Sequence, residues 1–280
     1  MPVRKPAVAG SFYPKDKGDL QQLIKDSYLH TLGPGKLPPS PPTNAKLVSV
    51  VCPHAGYEYS GPVAAHSFLQ VSSMRDPELI IIVAPNHYGV GSGVSVYSPG
   101  SWETPLGMMN VDEAACKELA DETGIVDFDP TAHRLEHSLE VQLPFLQMIY
   151  GDKVPILPVC ISFQDEDTTT TLAAGVSKVA AKRRTILVAS SDLTHYEPAE
   201  VARKKDTALI SEILKMDAAG FYSTLERLQV TACGFGAIST IMQASKTLGM
   251  SKGTLLKYAN SGDTTGDMAQ VVGYASVRFQ

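Results

Sequence analysis

The chain of 280 residues lacks the features of several specialised protein classes. Its four cysteines are scattered without a C-x-x-C pair, which argues against a disulfide framework and against a zinc finger. Lys and Arg total 24 against 29 Asp and Glu, so no basic surplus favours nucleic acids or anionic membranes as partners. The longest apolar run, residues 79–84, is far shorter than the roughly 20 residues that span a bilayer. The N-terminus also lacks the apolar core of a secretory signal, so we expect a cytoplasmic globular protein.

The positions of proline and glycine divide the chain into an arm, a linker and a main body. Residues 1–32 join an irregular stretch to a helical pattern over Lys17–Leu29. Residues 33–44 are rich in proline and glycine and can form neither a helix nor a central strand. About 30 residues cannot make a core of their own, so we expect one domain over residues 1–280, with the arm laid onto a body of residues 45–280.

From residue 45 onward, apolar runs rich in Val and Ile alternate with helical patterns. Runs that are apolar on both faces are typical of strands buried on both sides of a sheet. We predict strands at Leu47–Cys52, 79–84, 154–161, Thr185–Ser190, Gly253–Asn260 and 269–279. We predict helices at 63–71, 112–122, 136–150, 168–182, Ala199–Lys215 and 234–248. This alternation predicts an α/β/α sandwich with a mixed, largely parallel central sheet.

Three of the predicted buried strands end in a polar turn that contains a histidine: His54, His87 or His195. Ligands of open α/β sheets bind beyond the carboxyl ends of the strands, so these histidines would converge if their strands are neighbours. Neutral imidazole is the commonest transition-metal ligand, and a metal is the most economical interpretation. The alternative is that each histidine only caps its turn through a hydrogen bond.

Cys233 directly precedes the helical run of residues 234–248. A helix N-terminus lowers the pKa of a thiol, which prepares a thiolate to bind a metal or to attack a substrate. Alternatively Cys233 is a small apolar residue that fills the core. Cys52, Cys116 and Cys160 fall in predicted strands or on a helix face and are interpreted as core residues.

Near the start of the predicted helix 136–150, His137 lies close in sequence to two glutamates, Glu136 and Glu140. His137 and Glu140 are spaced i, i+3 beside an apolar stripe of leucines. One interpretation makes His137 an acid or base in the cleft, with Glu140 orienting it or a metal-bound imidazole. The other leaves Glu136 and Glu140 in solvent and His137 bonded to a carbonyl. Asp192, three residues before His195, is a further candidate acid, base or hydrogen-bond acceptor.

Several motifs in one order along the chain resemble the Memo family, whose prokaryotic members are called AmmeMemoRadiSam system protein B. They are PAVAGSFYP at 6–14, PHAGY at 53–57, PNH at 85–87, EHSLE at 136–140, SSDLTH at 190–195 and CG at 233–234. The resemblance implies a fold similar to class III extradiol dioxygenases, which are non-haem iron enzymes. It also implies an AMMECR-type protein and a radical SAM protein as partners.

The resemblance assigns roles to individual residues of the predicted cleft. His54, His87 and Cys233 match the family's proposed metal ligands, and Asp192 and His195 match its polar cleft residues. Extradiol enzymes complete their iron site with a carboxylate, and this chain offers the thiol of Cys233 instead. A thiolate favours copper(I), zinc or a different iron chemistry, so ring cleavage is not inherited from the fold. Animal members have a histidine where this chain has Val8, which weakens inference from their link to cell signalling.

Three functional hypotheses follow. The first is a dioxygenase-like redox enzyme in which the three ligands hold iron(II) or copper, with zinc as a further option, while His137, Asp192 and His195 handle protons. The second is a non-catalytic module that binds a metal, a small molecule or a peptide in the same cleft. The third is a cysteine hydrolase with Cys233 as nucleophile, His195 as base and Asp192 orienting the base.

Overall fold

The computed structural model describes residues 2–39, 43 and 45–280. The predicted linker therefore lies partly outside the described residues, at positions 40–42 and 44. The strands are β1 (Val3–Arg4), β2 (Leu47–Cys52), β3 (Leu79–Pro85), β4 (Val94–Val96), β5 (Ser101–Thr104), β6 (Gly107–Asn110), β7 (Asp127–Phe128), β8 (Ile156–Ile161), β9 (Thr185–Ser190), β10 (His195–Glu197), β11 (Gly253–Asn260) and β12 (Val271–Phe279). The helices are α1 (Lys17–Leu29), α2 (Tyr57–Val71), α3 (Glu113–Thr123), α4 (Leu143–Tyr150), α5 (Glu166–Ala181), α6 (Ala199–Lys215), α7 (Ala218–Leu228), α8 (Phe235–Thr247) and α9 (Gly262–Thr265).

The centre of the fold is a parallel array of β2, β9, β3 and β8, in that order. At one side β4 runs antiparallel to β8 and β7 runs parallel to β4. At the other side β12 pairs antiparallel with β2, β10 and β11. The residues of β3, β8 and β9 are all buried, as their apolar sequences require of strands covered on both faces. The prediction of a mixed, largely parallel sheet is confirmed.

Helices cover both faces of this sheet. The Ser49 hydroxyl on β2 lies 2.7 Å from the Ser245 hydroxyl on α8. Cys52, three positions further along β2, contacts the Ala64 carbonyl on α2. Side chains an odd number of residues apart on a strand point to opposite faces, so α8 and α2 lie on opposite sides. With α5 packed on α8 and α1 packed on α2, the arrangement is the expected α/β/α sandwich.

The structure differs from the predicted elements in two ways. The small sheet of β1, β5 and β6, the short strands β4, β7 and β10, and the helices α7 and α9 were not predicted. The predicted helix 136–150 is wrong in its first half: residues 136–139 are not helical, Glu140–Gln142 form one 3-10 turn, and α4 begins at Leu143. Pro144 explains the late start, because its ring clashes with the carbonyl four residues earlier in a continuous helix and is tolerated in a first turn.

A matched pair of leucine substitutions measures the contribution of the central sheet. Leu187 on β9 is fully buried, whereas Leu29 at the end of α1 is 55% exposed. We expect Leu187→Ala to lower the free energy of unfolding by about 2 to 5 kcal/mol, because it leaves a cavity in a close-packed core. Leu29→Ala should change it by less than about 0.5 kcal/mol. Urea denaturation followed by circular dichroism gives both values, and equal losses would contradict this assignment of the core.

Candidate metal centre

The order of the strands brings three predicted ligands together. β9 lies between β2 and β3 in parallel register, with Cys52 opposite Ser190, so the turns after these strands share one edge of the sheet. His54 and His87 extend from two of these turns, and their ring centroids are 5.2 Å apart. Cys233 approaches from the loop before α8, and its Sγ lies 3.1 Å from His54 Nε2. One potential ligand atom of each of His54, His87 and Cys233 lies within 4.8 Å of the other two.

The hydroxyl of Ser190 fixes the proton on the His54 ring. Ser190 Oγ donates its only proton to the Ser138 carbonyl at 2.7 Å and accepts from Gln142 Nε2 at 2.8 Å. It can therefore only accept from His54 Nδ1, which lies 2.8 Å away. Burial lowers the pKa of His54 well below its ordinary value, so the ring is neutral. The His54 lone pair is consequently on Nε2, the atom that faces Cys233.

The carboxylate of Glu136 does the same for His87. Its Oε2 accepts the His87 backbone N–H at 2.6 Å, and its Oε1 accepts His87 Nδ1–H at 2.9 Å and the Ser138 N–H at 2.8 Å. Burial alone raises the pKa of Glu136, but its contacts with His87 and His137 outweigh burial and lower that pKa to about 2. With Nδ1 engaged by Glu136, Nε2 is the His87 ring nitrogen that remains for a metal. The sequence pattern does not predict this position for Glu136, although the residue adjoins His137.

Glu140 lies in a different environment from the one expected. Its buried carboxylate pairs with Arg4 and accepts the N–H groups of Ala7 and Val8 at 2.8 and 3.1 Å, together with the hydroxyl of Tyr13. These bonds connect Glu140 to the N-terminal arm, and it is Glu136 that contacts the histidine rings. The predicted helix had placed His137 and Glu140 on one face, and the non-helical backbone at residues 136–139 removes that geometry.

His137 lies beside both candidate ligands. Its ring stacks on His87 with centroids 4.7 Å apart, and it lies 5.5 Å from the His54 ring and 4.6 Å from the Phe12 ring. Burial lowers the pKa of His137 to about 4, against a smaller opposing effect of Glu136. His137 is therefore a neutral ring in the cleft, where the sequence predicts it.

Asp192 and His195 also lie beside Cys233. Asp192 Oδ1 accepts the backbone N–H of His54 at 2.8 Å, and burial raises the pKa of Asp192 to about 6. His195 Nδ1 donates to the carbonyls of Leu193 and Thr231 at 2.7 and 3.0 Å. Potential ligand atoms of Asp192, His195 and Cys233 lie within 4.8 Å of one another.

Comparison with known proteins assigns the family. Residues 4–278 match the family described as Memo-like protein. The chain belongs to the Memo-like family. MEMO1 family proteins of Methanopyrus kandleri and Sulfolobus acidocaldarius are 45% and 47% identical to it, each match covering 99% of both chains. The relative from Methanocaldococcus jannaschii is 46% identical over 98% of both chains.

A solved structure shares the fold of this Memo-like chain. It belongs to an uncharacterized protein of Escherichia coli K12, with a TM-score of 0.55 and 14% identity, and it covers 83% of this chain and 99% of that one. At this identity the likeness concerns the fold alone. Within the described part of the Memo-like chain, no helix is both long and apolar enough to cross a membrane.

A buried residue outside the sequence predictions positions the His195 turn of the Memo-like chain. Asp206 on α6 accepts the N–H and the hydroxyl of Thr194 at 3.0 and 2.6 Å, and the hydroxyl of Tyr258 at 2.8 Å. The sequence did contain a signal for it, since Asp206 lies on the buried face of α6 with Ala202 and Leu209. A lone aspartate among apolar residues of a helix face is unusual unless it is hydrogen-bonded.

The helix N-terminus was expected to lower the pKa of the Cys233 thiol, and the structure gives the opposite direction. α8 begins at Phe235, two residues later, and burial together with the charge of Asp192 raises the pKa of Cys233 above its ordinary value. Gly234 lets this loop approach the end of β9, because a Cβ there would lie 2.3 Å from the Ser190 carbonyl. Without a metal, Cys233 in the Memo-like chain is therefore a neutral thiol held close to His54.

Substitutions of two neighbouring cations, Arg4 and Lys5, test how strongly the N-terminal arm of the Memo-like chain is held to the rest of the fold. Arg4 pairs with the buried Glu140 and donates to the Glu136 carbonyl at 2.6 Å, whereas the Lys5 side chain is 73% exposed in its pair with Glu103. Arg4→Met leaves a buried carboxylate unpaired and should cost about 3 to 5 kcal/mol of stability. Lys5→Met, the control, should cost less than about 1 kcal/mol. Chemical denaturation measures both, and a similar small loss for each would mean that the arm is not fixed by this pair.

Proposed function

We propose that this Memo-like protein is a metal-dependent redox enzyme in which His54, His87 and Cys233 hold one iron or copper ion. The observation that supports the proposal most is the pairing of the ring nitrogens. Nδ1 of His54 and Nδ1 of His87 are both occupied, by Ser190 and by Glu136. Nε2 of each ring is therefore left to bind a metal ion beside Cys233. A carboxylate hydrogen-bonded to the other ring nitrogen is the usual support of a metal-bound imidazole.

The donor set fits a transition metal. Two neutral imidazoles and one thiolate suit copper, iron or zinc, and a bound cation removes the proton from a thiol. Three protein ligands also leave coordination positions for a substrate or for water. When bound, the ion would supply electron transfer and polarisation of a substrate. Carboxylate–histidine support by Glu136 then holds the His87 ring in place during turnover.

The remaining polar residues of the cleft are suited to moving protons. Asp192 is mostly ionised at neutral pH, because its pKa lies at about 6, so its carboxylate can accept a proton. His195 keeps Nε2 available, since Nδ1 is bonded to two carbonyls. The neutral ring of His137 packs against His87 and contributes a wall of the cleft. Asp192 and His195 thus keep the proton-handling role that the first hypothesis gave them, whereas His137 is here assigned to the wall of the cleft.

Exposed aromatic side chains favour a second candidate function, a binding module that uses the same cleft. Tyr88, Phe163 and Tyr196 are 51%, 63% and 71% exposed, and they follow β3, β8 and β9. The carboxyl ends of these parallel strands point to the edge that holds the histidines, and aromatic side chains there suit a peptide or a small planar molecule. Turnover of oxygen or of a reducible substrate by metal-loaded protein would separate the enzyme from the module.

The cysteine hydrolase hypothesis gains no support from the hydrogen bonds. Asp192 binds the backbone of His54, and the Nδ1 of His195 binds carbonyl oxygens instead of a carboxylate. A triad needs the acid to orient the base and the base to take the thiol proton. The nitrogen that is hydrogen-bonded to the Cys233 thiol is His54 Nε2, and this atom is a ligand in the proposed metal site.

Metal affinities of single variants test the proposed ligand set. His54→Ala and His87→Ala each remove one of the three proposed ligands, so the dissociation constant for the metal ion should rise by far more than tenfold. His195→Ala should change this dissociation constant by no more than about tenfold, the lower limit for residues that support a metal ligand without binding the metal. Anaerobic titration with iron(II) and copper(I) gives the constants, with His30→Ala as a control at the far end of α1. A loss for His195→Ala as large as for His54→Ala would overturn this ligand set.

Alkylation of cysteine gives an independent test. Cys233 is partly exposed, whereas Cys52, Cys116 and Cys160 are buried and serve as internal controls. Bound metal should slow labelling of Cys233 at least about tenfold, because coordination occupies the sulfur lone pair that attacks the reagent. Mass spectrometry of the labelled peptides at pH 8 measures the rate. Equal rates with and without metal would exclude Cys233 as a ligand.

A further inference from the structure

We propose that Gln164 is the positioning residue of Cys233, because its side-chain amide holds the Cys233 peptide so that the thiol faces His54 Nε2. The inference rests on the proposed function, in which Cys233 is a ligand of the metal site. Gln164 is half-buried and lies three residues after the end of β8. It therefore reaches the Cys233 loop from a strand that leads to none of the proposed ligands.

The Gln164 amide bonds to the Cys233 loop at two points. Its Nε2 donates to the Cys233 carbonyl at 2.9 Å, and its Oε1 accepts the backbone N–H of Gly236 at 2.8 Å. A carbonyl can only accept and a backbone N–H can only donate, so a single orientation of the amide satisfies both partners. The Gln164 backbone is fixed as well, because its carbonyl accepts the hydroxyl of Tyr222 at 2.8 Å.

Gln164 also caps α8, which the local sequence does not do. Gly234, the N-cap residue of α8, has no side chain that could accept a hydrogen bond from the first turn. A larger residue does not fit there, because a Cβ at position 234 would lie 2.3 Å from the Ser190 carbonyl. A Cβ at position 236 would lie 2.8 Å from the Cβ of Gln164, so a glycine there leaves room for the Gln164 side chain.

Two hydrogen bonds fix the peptide group that joins Cys233 to Gly234. Its N–H, on Gly234, donates to Ser191 Oγ at 3.0 Å, and its carbonyl, on Cys233, accepts from Gln164. Because a peptide group is planar, bonds at both its N–H and its carbonyl set the orientation of the whole group. The Cys233 side chain leaves the chain next to this group, and its Sγ lies 3.1 Å from His54 Nε2. Loss of the Gln164 bond would let the group turn and move the thiol away from the ring.

Two substitutions separate positioning from helix capping. Gln164→Glu keeps an oxygen for the N–H of Gly236 but places an acceptor, instead of a donor, against the Cys233 carbonyl. Gln164→Met removes both bonds with a side chain of similar length. Gln243→Met is the matched control, because Gln243 is also half-buried and joins α8 to α5 by accepting the hydroxyl of Thr170.

Alkylation of the metal-free protein at pH 8 tests the position of the thiol. Both Gln164 variants should label Cys233 at least about fivefold faster than wild type, because a carbonyl without its donor frees the loop to open. Gln243→Met should label Cys233 at the wild-type rate. The three buried cysteines should stay unlabelled in every variant, which shows that the fold is intact. A wild-type rate for Gln164→Glu would overturn the inference, since Gln164 would then act only as a helix cap.

Anaerobic titration of the same variants with Co²⁺ separates this inference from the proposed function. The absorption band of a cobalt-bound thiolate should appear in wild type, and both Gln164 variants should bind Co²⁺ at least about tenfold more weakly. A wild-type band that both variants retain at unchanged affinity would overturn the role of Gln164 and leave the proposed function intact. No band in wild type, with faster labelling of Cys233 in both variants, would overturn the proposed ligand set and leave Gln164 as the residue that positions Cys233.

Discussion

One hydroxyl group determines the chemistry of the candidate metal centre. Ser190 Oγ has one proton and two lone pairs, and it uses all three, toward Ser138, Gln142 and His54. Because the proton goes to a carbonyl, His54 must donate from Nδ1 and keep its lone pair on Nε2. Ser190 is also the last residue of β9, the strand between those that lead to His54 and His87. The position of one strand thus fixes both where the candidate ligands meet and which nitrogen His54 offers.

The N-terminal arm completes the second half of this arrangement. The Phe12 carbonyl accepts the N–H of Tyr57, just after the His54 turn, and Glu140 holds the N–H groups of Ala7 and Val8. The arm therefore contacts both regions that support the candidate ligands. Phe12 contacts the segment after His54, and Arg4 contacts the Glu136 carbonyl. Arg4→Met, which removes a buried ion pair, would disturb the orientation of His87 as well as the stability of the fold.

The sequence predicts the sheet better than it predicts the supports of the site. Long runs of Val and Ile allow only buried strands, so β2 and β9 agree with the prediction at both ends. The histidines after these strands follow from the geometry of parallel sheets. Glu136 could not be assigned in this way, because helical spacing placed it toward solvent and only Pro144 indicates that the helix starts later. Asp206 and Thr231 act through residues distant in sequence, and such pairings depend on tertiary packing.

Charge in the cleft favours a cation over other ligands. The pKa of Glu136 lies at about 2 and that of Asp192 at about 6, so both carboxylates are ionised at neutral pH. Burial keeps the rings of His54 and His137 neutral, because their pKa values are lowered. The nearest buried guanidinium, that of Arg4, is already paired with Glu140. A cleft with buried negative charge and free imidazole lone pairs attracts a metal ion and repels an anion. A binding module built on the same residues would therefore not bind an anionic group at the polar residues around Cys233, and an uncharged ligand would bind at the exposed aromatic rings of Tyr88 and Tyr196.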